Sequence, residues 1–246
     1  MVIKDIFENK NVALVGPAKY METMPVGEDI DNHDVVVRIN RSWESIEKFK
    51  NNIGSRTDVL YSCLIEKPAN AGKIDVEKYK SMNVKLICVP PASDLKGHAP
   101  NTSLHSLVNI ESVQRLVKKI PVRIVDHQFN NWLAVNVNCR PNTGYLAIYD
   151  ILRMNPKKLS IYGFSFYLDG FIKGVKEGIE KEQGKSEAQF AEQCFNSKRH
   201  NQANMWKFAK DTLLENKKVV LDAQLSKILQ LEKLDKNLYT TTGQIN

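Results

Sequence analysis

The stretch from Val12 to Asn40 limits what this chain can fold into more than any other: VALVGPAKYMETMPVGEDIDNHDVVVRIN. An apolar run, Val12–Val15, breaks at Gly16-Pro17, and a second, Val35–Val37, is closed by Arg38-Ile39-Asn40. A strand that stops at glycine, followed by a strand with polar residues at its end, is how an α/β sheet turns backbone N–H groups and side-chain tips toward an anionic ligand. A second block, Arg140-Pro141-Asn142-Thr143-Gly144, repeats the theme.

The rest of the chain agrees with such a sheet. Short runs of β type fall at Val12–Val15, Asp34–Ile39, Val59–Cys63, Val84–Val89, Val122–Val125, Leu159–Tyr162 and Val219–Leu221. Helical spacing appears at Trp43–Phe49, Leu104–Lys119, Thr143–Met154 and Gln202–Leu214. This alternation predicts an α/β fold: one Rossmann-like domain, residues 1–246, with a mostly parallel sheet flanked by helices. Residues 170–186, rich in Gly, Lys and Glu, read as a mobile surface loop or weak helix beside the site. Residues 225–246 read as a C-terminal helix, Leu225–Leu238, with a frayed tail.

Composition excludes several function classes. No apolar run approaches the ~20 residues that cross a bilayer, and the first residues, MVIKDIFENKN, lack the apolar core of a signal peptide. A soluble, cytoplasmic protein is the expectation. The net charge of +7 comes largely from lysines between Lys173 and Lys236 that are mixed with glutamates, as on solvated helix faces. No nucleic-acid-binding signature accompanies it, so no nucleic-acid partner is expected. The four cysteines, Cys63, Cys88, Cys139 and Cys194, are too far apart for a C-x-x-C zinc pair. Cys63 and Cys88 lie in or beside apolar runs and read as buried thiols of a reducing compartment.

Three places carry chemistry. Gly16 lacks a Cβ, so a backbone can approach a ligand closely there, and Asn40 sits just past a strand end, where its amide can both donate and accept. Asn142 or Thr143 can cap the helix Tyr145–Met154 that starts after Gly144, and the free N–H groups of that end favour an anion. His200, with Lys198 and Arg199 before it and a helix after it, is placed to keep a low pKa, because positive charge and the helix dipole both disfavour imidazolium. A neutral imidazole is what a general base needs. His33, within Asp31–Asp34, reads as an orienting or turn residue. Neither G-x-x-x-x-G-K-[ST] nor G-x-G-x-x-G occurs, which removes the ATPase and dinucleotide signatures.

Taken in order, these sites resemble the sialyltransferase family, glycosyltransferase family 29, in its short viral and bacterial branch. The family's long motif resembles Val12–Asn40 and continues into Gly54-Ser55-Arg56-Thr57-Asp58. Its short motif resembles Pro141–Gly144 through Ile161-Tyr162-Gly163-Phe164, and its C-terminal histidine resembles His200. The resemblance implies the GT-A-like variant fold and inverting transfer of an acidic sugar, sialic acid first, from a CMP-sugar donor. It implies a glycan or glycolipid acceptor, and neither a metal nor any other cofactor. Gly16, Asn40, Asn142, Thr143, Gly144 and Gly163 would line the CMP site, His200 would be the general base, and Arg199 would offset charge on the departing phosphate. A CMP-Kdo transferase and a catalytically inactive CMP- or glycan-binding module are the alternatives.

The chain departs from the family pattern in places. Val12 and Asn155 stand where the family has a cysteine pair, in keeping with a reducing compartment. Pro17 replaces the usual Asn after the first glycine, which hands that contact to Lys19 or Tyr20. Phe166-Tyr167-Leu168-Asp169 echoes a His-Tyr-Tyr-acid motif without its histidine, and Met205 stands where an acidic residue follows the base.

Overall fold

A computed structural model of the chain describes residues 4–91 and 109–236. Seven strands form one sheet: β1 Asn11–Val15, β2 Val35–Ile39, β3 Val59–Tyr61, β4 Leu86–Val89, β5 Val122–Ile124, β6 Lys158–Tyr162 and β7 Val219–Leu221. Their order is β5-β4-β3-β2-β1-β6-β7, and each neighbouring pair is parallel.

The continuous apolar runs are explained by burial on both faces. In β1 the side chains alternate sides. Val12 and Leu14 join a core with the helices Thr143–Arg153, Gln202–Leu213 and Ala223–Gln230. Ala13 and Val15 face the opposite way, onto Ile30 and Ile53 from the helices Gly27–Asp31 and Ile46–Ile53. A third cluster sets Leu60, Ile87 and Val89 against Tyr79 and Leu116. The result is three layers, helix–sheet–helix, and each fully buried Val or Leu contributes about 1.5–3 kcal/mol by leaving water.

Strand order places the site. The chain runs outward from β1 through β5, then returns to lay β6 on the other side of β1. Connections therefore diverge between the carboxyl ends of β1 and β6, which opens a crevice at that edge. Much of the long motif holds this edge in place. Arg38, 0% exposed on β2, donates to the carbonyls of Ile53, Gly54 and Arg56 and to the Thr57 hydroxyl. Burial pulls its pKa down to about 10, and the Asp31 carboxylate pushes the other way. Asp31 accepts from the backbone N–H groups of Ser55 and Arg56, and Asp58 accepts from the Val36 N–H and pairs with Arg56. Gly54 to Asp58 is thus a clamp on β2. His33 ties the sheet's other flank: its ring nitrogens reach the Asp29 carbonyl and the Ser160 hydroxyl, each at 2.8 Å.

Several expectations need correction. Residues 42–53 form a 3₁₀ turn, Ser42–Ser45, followed by the helix Ile46–Ile53, rather than one helix over Trp43–Phe49. The Asn109-capped helix Ile110–Val117 is the described part of the one expected over Leu104–Lys119; Leu104–Val108 lie outside the described residues. The terminal helix is Ala223–Gln230, not Leu225–Leu238, and residues 237–246 of the expected tail lie outside the described residues. The chain turns extended at Leu231 (ψ 152), and the Gln202–Leu213 helix meets carbonyls at this end: Trp206 Nε1 donates to Ile228 O at 2.8 Å and Lys210 Nζ to Leu231 O at 2.5 Å. Residues 170–186 hold a short helix, Ile179–Gln183, as one of the two expected forms, and the segment beside the cleft is anchored rather than loose. Phe171, Ile172, Val175, Lys176 and Ile179 are buried there, and Phe171 bridges to Ala18. Cys88 is buried as expected, but Cys63 is only half-buried, because β3 ends at Tyr61 and leaves it in a wall of the crevice; all four cysteines are free thiols.

Candidate functional site

The crevice is a cleft of about 920 Å³. Its walls are the residues just past the strands: Pro17 after β1, Asn40 after β2, Cys63 after β3 and Gly163 after β6. The N-terminus of the Thr143–Arg153 helix and the loop carrying Arg199 and His200 complete it. Of the eight residues singled out from the sequence, Asn40, Asn142, Thr143, Gly144, Gly163, Arg199 and His200 line this cleft.

Gly16 does not. It is buried against β6, where a Cβ would meet Gly163 O at 2.3 Å and the Phe164 ring at 2.8 Å. Its missing side chain lets the two strand ends cross closely, which sets the position of Gly163 (φ +74).

Asn40 takes a left-handed backbone at φ 46, which Asn tolerates better than most residues. Its N–H donates to Tyr61 O at 2.8 Å and its Oδ1 accepts from Cys63 N–H at 3.0 Å. With one lone pair of the oxygen taken, the NH₂ group is the donor that Asn40 has to offer the cleft. Asn142, not Thr143, is the helix cap, with Oδ1 accepting from Tyr145 N–H at 2.9 Å. That leaves the Thr143 hydroxyl and the N–H groups of Thr143 and Gly144, which have no intrahelical partner by position, for another acceptor. Gly144 also admits Phe164, whose ring would lie 2.9 Å from a Cβ there.

His200 precedes the Asn201 cap of the Gln202–Leu213 helix. Its Nδ1 lies 2.7 Å from Arg140 O. A carbonyl only accepts, so Nδ1 carries the proton and Nε2 keeps its lone pair. Burial pushes its pKa down to about 4; the Arg140 carbonyl contact opposes this, and the charges of Arg140 and Arg199 add to it. The direction is the expected one, but desolvation leads, ahead of the charges.

The structure adds residues that were not singled out. Arg140 opens the second block and lines the cleft, and its guanidinium has no hydrogen bond or ion pair among the described residues. Its backbone N–H donates to Arg199 O at 3.1 Å, so the two arginines and His200 are locked together. Burial, then Arg199, lowers its pKa. Its place in the RPNTG block was the available signal. Phe166 (φ 52) and Tyr167 (φ 62) are consecutive left-handed residues, a conformation that costs about 1–3 kcal/mol each and collects at functional sites. Both line the cleft, and Leu168 and Asp169 hold them: Leu168 is buried, and Asp169 accepts from Tyr20 N–H at 2.6 Å, with its own pKa pushed up to about 6 by burial.

Of the two residues offered in place of the Pro17 contact, Lys19 is exposed, and Tyr20 is committed to the fold. The Tyr20 hydroxyl donates to Asp222 at 2.7 Å and accepts from Phe164 N–H at 3.1 Å. Met205 is fully buried in the core, where an acid would be stranded. Among the described residues no group of three His, Cys, Asp or Glu is placed to hold a metal ion, and no helix is long and apolar enough to cross a membrane.

A family model described as glycosyltransferase family 29 (sialyltransferase) matches residues 8–170. Among solved structures, the chain is similar to the sialyltransferase CstII from Campylobacter jejuni in complex with the substrate analogue CMP-3FNeuAc. It is 15% identical to it with a TM-score of 0.48, covering 86% of this chain and 78% of that one. It is also similar to a mammalian sialyltransferase in complex with Gal-beta-1-3GalNAc-ortho-nitrophenol, at 16% identity and a TM-score of 0.40, covering 78% of this chain and 67% of that one. No curated protein matches the chain.

Proposed function

The chain belongs to glycosyltransferase family 29, and on that premise we propose that it moves an acidic sugar, sialic acid in the first instance, from a CMP-linked donor to a glycan or glycolipid hydroxyl, with inversion and without a metal ion. The observation that carries this reading is the imidazole of His200: Nδ1–H is held on Arg140 O at 2.7 Å, which leaves Nε2 as a base in the same cleft as the open helix end at Thr143 and Gly144.

In this reading the nucleotide phosphate sits on the Thr143 and Gly144 N–H groups and the Thr143 hydroxyl, with the Asn40 NH₂ as a further donor. The acceptor hydroxyl gives its proton to His200 Nε2 as its oxygen bonds to the anomeric carbon. On the far side of that carbon the bond to the phosphate oxygen breaks, and CMP leaves with the electron pair. Arg140 and Arg199 offset the growing charge on that oxygen, the kind of stabilisation that is largest in a cleft shielded from water. Glycosidic oxygen gained, phosphate oxygen released and one proton moved to imidazole close the balance.

Calorimetric titration with CMP, CDP, UMP and GMP tests the donor class. Selective micromolar binding of CMP is the expected result, and binding of no nucleotide overturns the proposal.

A further inference from the structure

The segment that follows Asp169 builds a second wall of the cleft, and one residue in it has no role in the chemistry above. Lys176 lines the cleft but is only 7% exposed. Its ammonium donates to Ala69 O at 2.7 Å and stands over the rings of Phe171 and Phe190, 5.0 and 5.4 Å from their centroids. The two rings stack on each other, which fixes the pocket around the charge. An ammonium has three donors, and among the described residues one is used. Among the described residues no carboxylate forms an ion pair with it. Glu182 attracts it from farther off while accepting from Ala69 N–H at 2.9 Å. Arg41 adds a like charge nearby and is itself paired with Glu44.

A buried cation without a counter-ion is costly to keep. The aromatic surround recovers part of that cost, and it also strengthens any charge that meets the ammonium from the cleft side. Burial pulls the lysine pKa down to about 8, the direction expected of a charge waiting for a partner. The groups around the ammonium, Ala69, Phe171 and Phe190, come from other segments of the chain than the nucleotide-side donors Asn40, Thr143 and Gly144.

We propose that Lys176 is the specificity residue of the acceptor end of the cleft, where it receives the carboxylate of an acidic acceptor sugar. This rests on the transferase reading and adds a substrate class to it: the acceptor is anionic, and neutral glycans are poorer substrates.

The test compares wild type with Lys176→Met, which keeps the chain length and removes the charge. Both are assayed with CMP-sialic acid against lactose and against sialyllactose, alongside donor hydrolysis without acceptor. The expected result is a KM for sialyllactose raised on the order of ten- to a hundredfold, the usual worth of a charge-assisted hydrogen bond, with lactose transfer, donor hydrolysis and CMP affinity unchanged. An equal loss for both acceptors, a fall in donor hydrolysis, or no change for sialyllactose overturns the assignment. A wild type that binds no CMP and transfers to neither sugar speaks against the transferase reading instead. The subsite is then tested alone by following the Lys176 ε-amine by NMR as N-acetylneuraminic acid is added. An upward pKa shift supports a carboxylate site, and an unmoved titration overturns it.

Discussion

Replacing Asp150 by Asn should unfold this protein at a markedly lower temperature. Asp150 is 0% exposed on the helix whose first turn forms the cleft wall. It accepts from both terminal nitrogens of Arg123, at 2.5 and 2.9 Å, from Arg153 Nε at 2.8 Å and from the Tyr61 hydroxyl at 2.7 Å. Burial opposes its ionised form, yet the Arg123 contacts hold its pKa below the ordinary carboxylate value. Asparagine keeps the shape, removes the charge and turns one acceptor into a donor that faces donors. Arg123, itself 9% exposed, is then left without a counter-charge. Breaking a buried pair in this way costs about 3–5 kcal/mol. For a chain of this size each kcal/mol moves the midpoint by about 2–4 °C, so the melting temperature should fall by roughly 6–20 °C. Scanning calorimetry of wild type and Asp150→Asn measures this, and a drop under about 2 °C refutes the reasoning. The double change Asp150→Leu with Arg123→Met should recover part of the loss, since it removes the buried Arg123 charge together with its partner, while the Tyr61 hydroxyl and Arg153 still lose their acceptor. The sign with pH follows from the lowered pKa: the stability from Asp150 is present above the unfolded value of about 3.9 and is lost as pH falls through the lower folded value.

Other outcomes follow from the same geometry. The acid limb of kcat/KM should lie near pH 4, because the free enzyme's His200 titrates at about 4; a midpoint near 6.5 would mean an exposed, ordinary imidazole. The limb of kcat should lie at higher pH, since a bound anionic donor offsets Arg140 and Arg199. As pH drops from 6.5 toward 4 the unfolded chain takes up the His200 proton first, so stability should also decline over that interval in a thermal-shift series. Thr143→Ala should weaken CMP by about 1–2 kcal/mol in calorimetry, and an unchanged affinity would remove the helix end from the nucleotide site. Transfer should persist in excess EDTA, whereas a loss restored by magnesium or manganese would overturn the metal-free reading.

The sheet was legible because its strands are short apolar runs, and the inner ones, β1 to β4, are buried on both faces, whereas the edge strand β7 is not. The lining of the candidate cleft was legible where a residue type has few uses in its setting: Asn past a strand, Asn-Thr-Gly at a helix start, His before a helix. Gly16 shows the limit of that reasoning, since a glycine that lets two strand ends cross and one that touches a ligand look alike in sequence. Arg140 was hidden because an arginine beside proline carries no sign of whether its guanidinium finds a carboxylate. Lys176 was hidden among lysines that really are solvated, and only packing against Phe171 and Phe190 distinguishes it. The end of the terminal helix is not legible because apolar residues at helical spacing continue past Leu231, where the backbone turns extended.

His200→Asn tests the central claim most directly, because the asparagine amide can still donate to Arg140 O while offering no base. CMP affinity should stay within about twofold, and transfer from CMP-sialic acid should fall by about 10²–10⁴, the usual worth of a general base. Transfer that survives at wild-type rates, with CMP still bound, would contradict the claim.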